Sequence, residues 1–198
     1  MPKVVDHELR QRELAQAALR VIGRAGLEAT TTRAVADESG WSTGVLKHYF
    51  DDKDHLLREA LRELERMNLE RFEHARRASS GRAAVGAALA GILGGGPDES
   101  RVWIAFMSRA SVDRATAAAM RRAIQVWVGR WAELVVRGQI DGSIRTDLDP
   151  LEVAAELHAL INGLRLQAAF GKTASSAARA GRVQQLVLLR SLEPGLDG

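Results

Sequence analysis

Residues able to do metal or acid–base chemistry are few in this chain, and they are scattered. Five histidines stand at positions 7, 48, 55, 74 and 158. Each falls in a different segment, and no HExxH, HxH or repeated Glu-x-x-His spacing brings two of them to one helix face. No metal site, no catalytic set and no cofactor is expected. The absence of cysteine removes disulfides, thiolate ligands and cysteine nucleophiles together. His74, on a charged stretch, reads as solvated, and His158, on a largely apolar one, as a hydrogen-bonded pocket or core residue. The glycines of "GILGGGP" lack the lysine and Ser/Thr of a phosphate-binding loop and read as a turn. "DLDPLE" lacks the spacing and the glycine of a calcium loop, and Asp149 is expected to cap a helix.

The chemistry that does gather is recognition chemistry. In "DESGWSTGVLKHYFDDKDHLL", residues 37–57, the one tyrosine of the chain, Tyr49, stands beside Phe50 in a polar setting. Two short helices at roughly 32–39 and 43–49, joined by a tight turn at Gly40, would account for this pattern. A pair of that length and turn is a helix-turn-helix, whose second helix enters a DNA major groove about 12 Å wide. Thr43, Gly44, Lys47 and His48 are small or polar enough to face such a groove. Val45, Leu46 and Phe50 would hold the helix to its neighbours, and Tyr49 would reach a phosphate. The alternative is that the aromatics only cap a helical hairpin.

These helices need a scaffold, and the rest of the sequence supplies one. Ala, Leu, Arg and Glu dominate, strand-like alternation is scarce, and the four prolines stand at 2, 97, 150 and 194, so the expected fold is all-α with about nine helices. A first helix runs from about His7 to Arg24 with Leu14, Ala18, Val21 and Ile22 on one stripe, and Gly26 ends it. Thr30 or Thr31 caps the second helix and Ser42 or Thr43 the third. A long helix follows from about Asp54 to Arg77, with Leu57, Leu61, Leu64 and Met67 inward and Glu59, Glu63, Arg62 and Arg66 on a solvated face. After "ASSGR" and a short helix "AAVGAALAGIL", the break "GGGPD" leads to helices at 100–111, 113–138, 150–170 and 179–192, with Asp98 or Ser100 as the first cap. Domains are expected at 1–53 and 54–198, with the long helix as connecting rod.

The stretch "GLEATTTRAVADESGWSTGVLKHYFDDKDHLL" resembles the N-terminal DNA-binding domain of the TetR family of bacterial regulators. The resemblance rests on Gly26, Thr30 and Thr31, Val35-Ala36, Ser39-Gly40-Trp41-Ser42, Thr43-Gly44-Val45-Leu46, His48-Tyr49-Phe50 and Lys53, about a quarter of the chain. It implies a three-helix DNA-binding domain with a helix-turn-helix, followed by a larger helical domain. It further implies DNA contacts at Thr31, Arg33, Ser42, Thr43, Gly44, Lys47, His48, Tyr49 and Lys53, with Tyr49 and Lys53 on phosphates. Two departures stand out. Trp41 replaces a small aliphatic and is expected to fill core volume beside the first helix, and Lys47 replaces a residue that is often aromatic.

"WIAFMSRA" and "DGSIRTDLDPLEVAAELHALINGLRLQAAFG" are similar, in order and content, to the C-terminal domain of the BetI-like branch of that family, which implies layout rather than an effector. Ala155, Ala159 and Gly163 would let two helices approach closely, and with Val183, Leu186, Val187 and Arg190 they would form a homodimer interface or complete a monomer core. Trp103, Phe106, Met107, Trp127, Trp131, Leu134, His158, Asn162, Leu166 and Phe170 fall on three neighbouring helices. They would line a site for a hydrophobic or cationic small-molecule effector, or pack as an aromatic core.

The expected function is a ligand-responsive repressor binding palindromic double-stranded operator DNA as a dimer. A ligand-independent regulator or structural DNA-binding protein is the alternative, and an enzyme is excluded by the missing constellations. The net charge of +3 says little, because residues 1–56 hold eight Lys/Arg against nine Asp/Glu; contacts must come from a few placed groups. No run of 18 apolar residues occurs and the N-terminal segment lacks a signal-peptide core, so a cytoplasmic protein with no membrane partner is expected.

Overall fold

The computed structural model describes residues 2–79 and 81–170, residues 2–6 by backbone alone. Among the described residues the chain is all-helical: α1 (Pro2–Ala29), α2 (Thr32–Ser39), α3 (Thr43–Tyr49), α4 (Lys53–Ala78), α5 (Gly81–Leu93), α6 (Gly96–Ala110), α7 (Arg114–Ile140) and α8 (Pro150–Phe170). The expected helix at 179–192 lies outside the described residues, together with Val183, Leu186, Val187 and Arg190.

Local signals set most of the boundaries. α1 departs from helical geometry at Gly26 (φ 81°, ψ 172°), close to the expected stop. Thr31 caps α2, its side chain accepting from the Ala34 amide, and Ser42 caps α3 by accepting from Val45. Between them Gly40 sits at φ 74°, a left-handed conformation that a side chain would strain, and this closes the tight turn. Asp52 caps α4 through the His55 amide. Asp149 caps α8 by accepting from the amides of Leu151 and Glu152, at 2.7 and 3.3 Å. α6 begins earlier than expected. Pro97 occupies its first turn with no side-chain cap, and Asp98 pairs with Arg101 at 2.5 Å instead of capping.

Two hydrophobic cores result. The first joins Leu14 and Ile22 of α1, Val35 of α2, Leu46 and Phe50 around α3, Leu57 and Leu64 of α4, and Trp103 and Phe106 of α6. The second joins Phe72 of α4, most of α5, Trp131 and Leu134 of α7, Ile144, and Leu157 and Ile161 of α8. α4 thus contributes its first half to one core and its second half to the other. α6 is a second tie that the sequence did not announce. At Gly23 an added Cβ would stand 3.0 Å from the Asp98 Cβ, so α1 lies directly on the start of α6.

Two side chains contradict the sequence expectation. Glu63 is only 4% exposed. It accepts from Gln16 of α1 at 2.7 Å and takes a two-pronged contact from Arg66, at 2.6 and 2.7 Å, which is how a carboxylate survives burial. A helical repeat marks Glu63 as polar but cannot show that α1 covers it. Trp41 is not core filling. It is 36% exposed, and the Arg10 guanidinium lies 3.9 Å from its ring centre in a cation–π contact.

Candidate nucleic-acid interface and ligand groove

α3 is held from beneath by Leu46 and Phe50, both buried. Thr43, Gly44, Lys47 and His48 are exposed on its outer side, and Ser42 precedes them at the cap. Thr31 and Arg33 are exposed at the start of α2. Several polar groups of the unit pair within it. Glu38 takes Arg20 at 2.7 Å and Arg24 at 2.6 Å, and the hydrogen bond from Arg20, then that from Arg24, lowers its pKa. Lys53 donates to the Glu28 carbonyl at 2.9 Å, which ties the start of α4 to the end of α1. Its ammonium has three donors, so this contact leaves capacity for a further acceptor.

The start of α1 adds two residues that the sequence did not flag. The ring of His7 lies 4.5 Å from that of Tyr49 and 6.1 Å from that of His48, and Arg10 covers Trp41. Tyr49 is therefore half-buried under α1 with its ring position fixed, and Phe50 packs against His55 at 5.7 Å. Only the packing of α1 against α3 and the turn before it could have revealed the His7 and Arg10 contacts, because their partners lie more than thirty positions away.

A groove of about 810 Å³ opens between α4, the end of α6 and the first half of α7. Leu57, Leu61, Leu69, Phe106, Val126 and Trp127 form its apolar wall, and Arg58, Arg109 and Arg122 stand among its charged residues with Asp54, Glu65 and Asp113. Arg109 bridges to Asp54 at 2.8 Å, linking α6 to the first turn of α4. Burial raises the Glu65 pKa against the opposing pull of Arg62. The pKa of Asp113 is lowered by the Thr116 hydroxyl and amide, which it accepts as the cap of α7.

The expected effector residues separate into three groups. Phe106 and Trp127 line the groove. Trp103, Trp131, Leu134 and His158 are buried beyond it, with Asn162 accepting from the Trp103 indole N–H at 2.9 Å. Met107, Leu166 and Phe170 are on the exterior, Phe170 being 74% exposed. Helical periodicity allowed each position to face inward but could not choose between neighbouring helices. Ala155, Ala159 and Gly163 are exposed along α8 with Leu166 and Phe170 on the same stripe, and an added Cβ at Gly163 would meet open space. Among the described residues there is no group of three or more His, Asp or Glu that could hold a metal ion, and no helix long and apolar enough to cross a membrane.

An exposed second helix behind a tight turn, on a three-helix head joined to a larger helical body, defines a helix-turn-helix transcription regulator. The comparisons sharpen this. Residues 14–60 match the domain of bacterial regulatory proteins of the tetR family, and residues 77–187 match the C-terminal domain of BetI-type transcriptional repressors. The chain is 33% identical over 180 residues to the HTH-type transcriptional regulator BetI of Burkholderia lata, covering 85% of this chain and 87% of that protein. It is 45% identical over 62 residues to the regulator PksA of Bacillus subtilis, a match spanning 31% of this chain and 30% of that protein. A transcriptional regulator from Saccharomonospora viridis, solved in complex with choline, shares the fold with a TM-score of 0.80 at 23% identity, over 95% of this chain and 100% of that one. The chain belongs to the TetR family of transcriptional regulators, in its BetI-like branch, and that family consists of regulators, not enzymes.

Proposed function

We propose that this regulator is a homodimeric repressor that binds a palindromic operator and is released when a small molecule enters the groove between α4, α6 and α7. Residues 1–53 act as the reading head and residues 54–198 as the effector and dimerisation body. The observation that carries the reading is the exposed face of α3. Thr43, Gly44, Lys47 and His48 lie outward while the anchors Leu46 and Phe50 are buried and Val45 is partly so, which is the disposition a groove-reading helix requires. Ser42, Thr31 and Arg33 border that face, and Tyr49 and Lys53 lie at its margin, suited to phosphates.

The exposed stripe of Ala155, Ala159 and Gly163 supports dimerisation, since small residues allow two helices to pack closely and an apolar strip of this kind favours cover. Choline occupies the regulator from Saccharomonospora viridis. Here Phe106, Trp127 and the desolvated Glu65 suit a small hydrophobic or cationic body. An occupant would press on α4 and α6 together, and both carry the reading head through the first core. Release follows only if the occupant binds the two arrangements unequally.

The test is selection of duplexes from a random pool by the full chain, followed by anisotropy titration and analytical ultracentrifugation. An inverted repeat with half-sites one helical turn apart, about 34–36 Å, bound by a dimer, is expected. Lys47→Ala should weaken that site roughly tenfold and relax its sequence preference. A monomer at micromolar concentration, or binding indifferent to sequence, would overturn the reading.

A further inference from the structure

Next to the groove, the interior holds a charge with no counter-ion among the described residues. Arg165 of α8 is only 5% exposed. Its single hydrogen bond among the described residues runs from Nη2 to Asn68 Oδ1 at 3.1 Å, although a guanidinium has five donors. No carboxylate lies within ion-pair distance of it among the described residues. The acid it feels most, Glu99, is already held by Arg71, whose Nη1 and Nη2 donate to Oε2 and Oε1 at 2.6 and 2.8 Å. Two guanidinium groups and one carboxylate leave this part of the interior with one surplus positive charge. Burial pushes the Arg165 pKa down to about 10, with Glu99 opposing and Arg71 adding to the fall, so the group is still charged at neutral pH.

Two further buried polar atoms near this layer are unpartnered among the described residues. The Trp131 indole N–H can only donate, and it has no partner among the described residues. His158 Nε2 is also buried without a partner, and His158 lies two turns from Arg165 on α8 and feels its charge. The guanidinium stands 5.2 Å from the Trp103 ring. This layer lies one helical turn, about 5 Å, further along the helices than the groove residues: Trp103 from Phe106, Trp131 from Trp127, Asn68 from Glu65. A buried cation with spare donors and no counter-ion is costly to keep, and the group that would complete it is an oxyanion.

We infer that Arg165 is the floor of an anion subsite, so that the effector is an amphipathic carboxylate or similar oxyanion whose head meets Arg165 while its apolar body fills the groove. This rests on the effector reading above but names a ligand class that reading does not. Choline alone would be served by the groove at Glu65 and would be repelled from the floor.

The probes are octanoate and benzoate, with 1-octanol and choline as controls, titrated into the full-length protein and followed by tryptophan emission and calorimetry. Octanoate should bind at least tenfold more tightly than 1-octanol in the wild type. Arg165→Met should weaken octanoate roughly ten- to hundredfold and leave choline unchanged. Without ligand, Arg165→Met should melt at or above the wild-type temperature, because an unbalanced buried charge is removed; a merely structural arginine would lower it. Equal binding of octanoate and 1-octanol, or octanoate affinity unmoved in Arg165→Met, overturns the inference, and the first comparison needs no variant. Operator anisotropy run in parallel separates the two claims. Carboxylate binding with the operator retained supports the subsite and counts against release by effector. Release by choline with no carboxylate binding leaves the repressor reading standing and sinks the subsite.

Discussion

The reading head and the body dispose of their polar groups in opposite ways. In the head, Thr31, Ser42 and Asp52 each satisfy an amide at a helix start, Glu38 gathers Arg20 and Arg24, and Lys53 closes on the Glu28 carbonyl. What is left over points outward from α3. In the body, the unmatched groups point inward: the Trp131 N–H, His158 Nε2 and most of the Arg165 fork. A unit complete in itself with spare groups outside is built to be placed on a partner, while one with spare groups inside is built to receive one.

Substitutions can break or sharpen this contrast. The largest effect is expected at Leu46, which pins α3 to the first core. Leu46→Ala should lower unfolding stability by about 3 kcal/mol in urea titration, and operator binding should fall with it. A loss confined to DNA binding, with stability intact, would mean that α3 is not held by this core. Next comes Ser42→Ala, which removes a matched group and should cost about 1 kcal/mol by the same measurement.

Trp131→Phe tests the other half of the contrast. It removes an indole N–H that has no acceptor among the described residues, and the edge-to-face contact with Phe72, centroids 5.0 Å apart, can persist. The expected loss is below about 1 kcal/mol, because relief of the orphaned donor offsets the lost volume. A loss above that of Ser42→Ala would mean the N–H is satisfied in solution. The smallest effect is expected at His158. Burial, with the Arg165 charge adding to it, holds its pKa below the ordinary 6.5. The unfolded chain therefore takes up the proton first as pH falls, so the stability linked to His158 is whole above about 6.5 and declines below it. Melting temperatures followed between about pH 7.5 and 5.5 should fall more for the wild type than for His158→Asn.

The helix-turn-helix was readable because its determinants lie close together in the chain. Gly40, Ser42 and Thr31 act on backbone within three residues of themselves, and Leu46 and Phe50 are separated by one helical turn. The aromatic set of the body was readable only as a set. Trp127 and Trp131 share a helix face by spacing, yet one lines the groove and the other is sealed in the second core, which Phe72 of α4 together with α5 and α8 decides. Glu63 and Trp41 were misplaced for the same reason: Gln16 covers the first, and Arg10 draws the second to the surface.

Sequence alone determined the all-helical class, the caps of α2, α3 and α8, the turn before α3 and the family, because these depend on residue types at fixed short spacings. The tertiary structure alone decided that α6 shares the core of the reading head, where the groove opens, and that Arg165 is buried with no carboxylate paired to it among the described residues. Those outcomes follow from which helix faces meet across a hundred residues of chain, and a buried charge is matched or unmatched only once its neighbours are in place.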